Sequence, residues 1–386
     1  MTDLQTPLNF DFQSTTPCAP EVLEAMEPYW NLHWGNASSR QSRFGLQAAA
    51  AVNLAREQLA EYLRVKPERL FFTSGATEAN NIALLGHSRG KSLELNKPGH
   101  LITVSTEHNS VLEPLRQLQK EGFRLTEIQP GSDGLLVPEQ LVDAFEEDTF
   151  LVSVMMANNE IGVLQPLEKL AELCQERGIT FHSDAAQAFG KMTFEIDQIG
   201  IDLLTLSGHK IYGPKGIGVL AIQDNLSIVP LQWGGGQEQG IRPGTIPVSL
   251  VVGLAKAAEL AFKDLNMLET RIRNLRNKLW NGLSEKIPDL ILNGSIDDRL
   301  SNNLNFTVPG LRGSVLHKSL RPFVICSSGS ACANGKPSHV LRALGRSKAE
   351  AEASIRLSLG RDTSIEHIEE VTYLITKVIL GLKEVN

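Results

Sequence analysis

Ile201-Asp202-Leu203-Leu204-Thr205-Leu206-Ser207-Gly208-His209-Lys210-Ile211-Tyr212-Gly213-Pro214-Lys215-Gly216 begins as an apolar run of strand length and ends in a turn of small residues that carries a lysine. A lysine ammonium is normally a solvated surface charge. Here it follows Ser207-Gly208 and precedes a stiff glycine and proline segment, an arrangement that fixes the amine in a cleft and suits it to Schiff-base chemistry. Similar short apolar runs, rich in β-branched residues, lie on both sides at 70–73, 101–104, 150–155, 179–182 and 217–222. Amphipathic stretches such as 111–121 and 167–176 separate them, the second with Leu167, Leu170, Leu173 and Cys174 on one face, so Cys174 is expected in the core. Strands alternating with helices predict an α/β domain with a mostly parallel sheet covered by helices. After residue 245 the pattern changes to long helical stretches at 248–262, 268–283 and 365–385 with short strands between, which predicts a second, smaller α+β domain. The polar, glycine-rich stretch 232–244 reads as a surface loop near the boundary and as an interface element.

Composition narrows the partners. The 386 residues are 42% hydrophobic and 21% charged, as in an ordinary globular protein, and the formal net charge of -7 contains no long basic run. Nucleic acid and anionic membrane surfaces are therefore not expected partners. The N-terminus lacks the basic start and apolar stretch of a secretion signal and no apolar run is long enough to cross a bilayer, which predicts a cytoplasmic protein. The four cysteines, Cys18, Cys174, Cys326 and Cys332, form none of the close pairs that bind zinc or build a disulfide framework, so no metal is expected.

In such a sheet ligands sit beyond the carboxyl ends of the strands. Thr73-Ser74-Gly75-Ala76-Thr77-Glu78-Ala79 runs from a strand through a glycine turn into a helix whose first amides suit a phosphate; a plain turn capped by Thr77 is the alternative. Phe181-His182-Ser183-Asp184-Ala185-Ala186-Gln187 sets a carboxylate just past a buried strand, either to pair with a pyridine nitrogen or to cap a helix. The segment Ser327-Ser328-Gly329-Ser330-Ala331-Cys332-Ala333-Asn334-Gly335 is small and polar, and suits a thiol that must meet a substrate and then an acceptor. Cys326 closes the apolar run Phe323-Val324-Ile325 and is expected as a buried strand residue. Arg356, in Ser354-Ile355-Arg356-Leu357-Ser358, offers a planar fork for a carboxylate, with a surface strand arginine as the alternative.

Taken in order, Ser-Gly-Ala-Thr-Glu at 74–78, Asn-Asn-Glu-Ile-Gly at 158–162, His-Ser-Asp-Ala-Ala-Gln at 182–187 and Ser-Gly-His-Lys at 207–210 resemble the cysteine desulfurases, within the class V aminotransferase-like enzymes of fold type I, over nearly the whole chain. The resemblance implies pyridoxal 5'-phosphate as cofactor, a seven-stranded sheet, a large domain at 16–260, and a small domain at 1–15 and 261–386 that carries the cysteine loop. It implies that Lys210 holds the cofactor, Asp184 pairs with its ring nitrogen, Gln187 and Asn159 meet its ring oxygen, and His108 of Thr106-Glu107-His108-Asn109 stacks on the ring. Gly75, Ala76, Thr77, Ser207 and His209 would surround the phosphate, which Thr245 would reach from the second subunit of a homodimer. Arg356, helped by Asn36 and Asn159, would hold the carboxylate of L-cysteine.

Cys332 would take the sulfur and pass it to an acceptor protein, an iron–sulfur scaffold or a sulfur carrier, because Ser-Ser-Gly-Ser-Ala-Cys resembles the branch that serves iron–sulfur cluster assembly. Departures fall near the substrate entrance: Phe12, Gln13 and Ser14 replace Asn-Ala-Ala, Ala37 replaces a proline, and Arg40-Gln41 stands where a histidine is common. The stretch from Cys332 to Val340 is also slightly short. Rival readings are a pyridoxal-phosphate C–S lyase that releases pyruvate, a selenocysteine lyase, and a non-catalytic scaffold or nucleotide-binding protein.

Overall fold

The computed structural model describes residues 6–328 and 337–385. In chain order the strands are β1 (Leu8–Asn9), β2 (Leu70–Thr73), β3 (His100–Val104), β4 (Arg124–Ile128), β5 (Thr149–Ser153), β6 (Thr180–Asp184), β7 (Leu203–Ser207), β8 (Gly218–Ile222), β9 (Ile291–Leu292), β10 (Asn303–Thr307), β11 (Val324–Ile325) and β12 (Ser354–Ser358). Seven form one sheet in the order β2-β8-β7-β6-β5-β3-β4. Only β8 runs against its neighbours, pairing antiparallel with β2 and with β7, so the other six strands end at the same side of the sheet.

Nearly every residue of β2, β3 and β5 to β8 is buried, because helices cover both faces, and this is why those strands read as continuous apolar runs. The edge strand β4, Arg-Leu-Thr-Glu-Ile, is missing from the sequence-based set for the same reason: one side has no partner and most of its residues keep some exposure. Helices Arg43–Leu63 and Val248–Lys263 pack on the sheet, and Val52, Leu59, Val251 and Leu254 join its core. Cys174 lies in that core, fully buried.

A second core gathers Phe10, Leu279, Phe306, Leu316, Ile355 and Ile375. It lies among the antiparallel strands β9, β10 and β12, in the order β12-β10-β9, and helices Leu265–Lys286, Gly313–Leu320 and Ile365–Val385. The N-terminal segment belongs to it as well: β1 pairs parallel with β11, and Asp11 bridges to Ser358. Residues 13–15 then continue from this core into the cleft at the strand ends.

One expectation needs correction: Cys326 is half-buried and follows the two-residue strand β11 rather than lying inside it. The stretch 232–244 lies at the surface, and Trp233 within it is 83% exposed. Glu238, at φ 47, nevertheless turns its carboxylate inward, where it accepts from Arg56 Nη2 at 2.6 Å and Nη1 at 3.0 Å and from the Phe72 amide at 2.6 Å. The loop is thereby tied to β2. Removing one partner of a buried pair strands the other charge, so Glu238→Ala should cost about 3 kcal/mol. A urea titration with an unchanged midpoint would show that the pair is not a structural tie.

Candidate active site

Three strand ends meet at a cleft of about 550 Å³. From β7 the chain turns through Gly208, and Lys210 Nζ donates to the carbonyls of Gln13 at 2.7 Å and Ser14 at 2.8 Å. From β6 comes Asp184, whose Oδ1 accepts from the Ala186 amide at 2.9 Å and whose Oδ2 accepts from Asn80 Nδ2 at 2.8 Å. From β2 comes the turn at Gly75, φ 146, a backbone conformation open to glycine and strained for other residues. The helix that starts at Ala76 runs through a π-helical turn at Ile82–Gly86 to Leu95, and its first residues line the cleft.

Gly75, Ala76, Thr77, His108, Asn159, Asp184, Gln187, Ser207, His209, Lys210 and Arg356 all line this cleft. Asn36 and Thr245 do not: both are exposed, and Asn36 Oδ1 caps its own turn by accepting from the Ser38 amide. Asn36 is also not among the hydrogen-bond partners of Arg356 in the described residues. Instead Arg356, 2% exposed, donates from Nη1 to the Asn159 carbonyl at 2.8 Å and from Nη2 to Asp11 Oδ1 and Ser14 Oγ, each at 2.7 Å. The surface alternative for this arginine is thus excluded. Cys332 lies outside the described residues.

The run 158–162 is a tight turn built by its own side chains. Asn158 Oδ1 accepts from the amides of Glu160 and Ile161, and its Nδ2 donates to the Thr106 carbonyl. Gly162 has φ 73, and a Cβ there would stand 2.4 Å from Asn303 Cγ. This geometry turns Asn159 toward the cleft, where its buried Oδ1 has no partner among the described residues. Gln187 is oriented from both ends: Oε1 accepts from Lys191 Nζ at 3.0 Å and Nε2 donates to the Gln13 carbonyl at 3.1 Å. Burial, with Lys210 and Arg356 nearby, lowers the Lys191 pKa to about 7.

The histidines of the site are held uncharged. Burial lowers the pKa of His108, assisted by Lys210 and His339 and opposed by Asp184. Burial and the three lysines Lys210, Lys215 and Lys191 bring His209 to about 4. Sequence reasoning missed Asn80 and Ser110, which touch these groups, and it noted Gln13 and Ser14 only as departures near the substrate entrance. Ser110 had one signal, its place two residues past His108 at a helix start; Asn80 had none beyond proximity to a motif.

The chain matches the Aminotransferase class-V family over residues 8–371, and it belongs to that family. Cysteine desulfurase IscS of Ehrlichia chaffeensis is 43% identical to it, with 99% of this chain and 93% of that protein covered, which places the chain among the cysteine desulfurases within the family. Among solved structures, a NifS-like protein superposes with a TM-score of 0.89 at 33% identity, covering 98% of this chain and all of that one. Another, described as SspA in complex with cysteine, gives 0.79 at 38% identity, covering 91% and 98%.

Below the cleft, His182 is fully buried beside Ser153 Oγ at 2.8 Å and Thr205 Oγ1 at 3.4 Å, and burial lowers its pKa from 6.5 to about 3. The unfolded imidazole binds a proton as pH falls through 6.5, whereas the folded one does so only near 3, so stability complete above pH 6.5 is lost between those values. His182→Asn should flatten this loss. Urea midpoints at pH 7.5 and 5.0 that fall equally in both proteins would contradict it.

Proposed function

We propose that the protein converts L-cysteine to L-alanine and carries the sulfur as a persulfide on Cys332, with pyridoxal 5'-phosphate held through Lys210. The observation that carries this reading is the convergence in one cleft of Lys210, Asp184 and His108 from separate elements, with the buried guanidinium of Arg356 at its other side. The fit to the cofactor is supported by the orphaned Oδ1 of Asn159, a buried polar atom that a ring substituent would satisfy. When bound, pyridoxal phosphate supplies an electron sink that acidifies the α-carbon of an amino acid.

Each residue then has a defined task. Asp184 would pair with the ring nitrogen, Gln187 and Asn159 would meet the ring oxygen, and His108 would stack on the ring. Gly75, Ala76 and Thr77, with Ser207 and His209, would hold the phosphate, and Thr245 of a second copy would complete that site in a homodimer. The Lys210 amine, held by two carbonyls, is the base that removes the substrate α-proton. Arg356 orients the substrate carboxylate, and Ser14 shares the same guanidinium nitrogen.

The Cys332 thiolate attacks the substrate sulfur, so one S–S bond forms, the C–S bond breaks, and its electron pair stays with the three-carbon skeleton, which is protonated to alanine. The other cysteines suit this task poorly: burial raises Cys174 and Cys326 to about 12, and it raises Cys18 as well. The sulfur acceptors in this reading are proteins, an iron–sulfur scaffold or a sulfur carrier, met in the cytoplasm. Among the described residues no helix is long and apolar enough to cross a membrane. In this reading the large domain is 16–260 and the small domain 1–15 with 261–386, which the place of Phe10 in the second core supports.

Alanine produced from L-cysteine in step with sulfide under reducing conditions is the expected result; pyruvate with ammonia would replace this reading by a C–S lyase. Cys332→Ala should lower alanine formation by roughly 10³-fold or more and abolish protein-bound persulfide while leaving the yellow cofactor in place. Lys210→Ala should lose the covalent cofactor, detected as absence of a borohydride-reducible adduct. Retention of either property would reject the corresponding role.

A further inference from the structure

Behind the ring-facing histidine lies a chain of hydrogen bonds in which every donor is determined. The backbone amide of Ser110 donates to His108 Nδ1 at 3.1 Å, and an amide nitrogen can only donate, so Nδ1 carries a lone pair. Ser110 Oγ lies 2.8 Å from the same Nδ1 and therefore also points its hydrogen there. That leaves the oxygen of Ser110 to accept, and it does so from Asn80 Nδ2 at 2.9 Å. The second hydrogen of Asn80 Nδ2 goes to Asp184 Oδ2 at 2.8 Å. A carboxylate beside it requires the amide nitrogen, not its oxygen, on this side of Asn80. Asn80, Ser110 and Asp184 are all buried, so no solvent competes for these contacts.

We propose that Asn80 and Ser110 are positioning residues that fix His108 as the tautomer protonated on Nε2, so that the group facing ring and substrate is a hydrogen-bond donor, and that couple this tautomer to the orientation of Asp184. A proton can reach Nδ1 only if the serine hydroxyl turns away from it and the Ser110 amide loses its acceptor. The groups that set the field at His108 are Asp184, at the end of β6, Lys210 beyond β7, and His339. Of these, Asp184 favours a charged ring and the other two oppose it. The chain through Asn80 makes Asp184 a partner of Asn80 and leaves the imidazole neutral.

This inference rests on the reading of His108 as the ring-facing residue, but its test does not require turnover. The nitrogen resonances of the His108 ring, assigned in the 15N-labelled holoenzyme by comparison with His108→Gln, report the tautomer directly. The wild type should show a protonated Nε2 and a bare Nδ1. In Ser110→Ala and in Asn80→Ala the ring should become a mixture of tautomers, and its titration midpoint should rise, because the neutral form has lost a donor. Ser110→Thr should restore the wild-type pattern, which a merely structural loss would not.

In the same variants kcat for alanine formation should fall about 10-fold with KM little changed. An unchanged tautomer ratio and midpoint in both Ser110→Ala and Asn80→Ala would overturn the proposal, as would failure of Ser110→Thr to restore them. A wild-type ring that shows the expected tautomer in a protein producing no alanine would instead count against the functional reading alone.

Discussion

The ion pair between Arg356 and Asp11 joins two parts of this chain that lie far apart in sequence. Arg356 comes from β12, at the edge of the three-stranded sheet, and Asp11 from the N-terminal segment that has just left the second core. With the pair made, residues 13 and 14 are drawn across the strand ends of the main sheet, where their carbonyls receive Lys210. The cleft is thus walled on one side by a segment held by this guanidinium together with Ser358, which receives the Gln13 amide on its hydroxyl, and Asn303, which donates to the Gln13 side chain. Arg356 Nε has no partner among the described residues, and the remaining nitrogens are divided among a carboxylate, a hydroxyl and a carbonyl. Such an arginine would be costly to bury without a full set of acceptors.

In the same segment, residues 13 and 14 meet the lysine through their backbone. Gln13 uses its backbone oxygen for Lys210 and Gln187, a contact any residue supplies, while its side chain turns away to accept from Asn303 Nδ2 at 2.6 Å. Ser14 likewise gives Lys210 a carbonyl, and its hydroxyl adds a contact to Arg356 that an alanine would not make.

Strands covered on both faces were legible because burial leaves an unbroken apolar run, and strand ends were legible because ligand-facing residues interrupt that run abruptly. Sites assembled from one such end, Asp184, Lys210 and the Gly75 turn, were therefore found from sequence. β4 was not, since an edge strand alternates polar with apolar residues and imitates a loop. Glu238 was hidden by glycine-rich surroundings that say nothing of a carboxylate turned inward at φ 47. Asn80 and Ser110 were hidden for another reason: their role depends on how a helix turn registers against the ends of two strands, and no local pattern encodes that register. Asn36 shows the converse, a motif residue that the fold of one chain leaves at an exposed turn.

The single antiparallel strand has a consequence for biosynthesis. β2 touches no strand of the sheet except β8, so residues 70–73 stay unpaired until residues 218–222 have been made. At ordinary rates of translation that interval is on the order of ten seconds. For that time Phe71 and Phe72, both buried in the finished protein, have no sheet to join. β7 and β8, by contrast, pair as neighbours in sequence, so the loop bearing Lys210 closes locally while the Gly75 turn waits for it. The two sides of the cleft, one from each end of the intervening chain, are therefore completed in one late event.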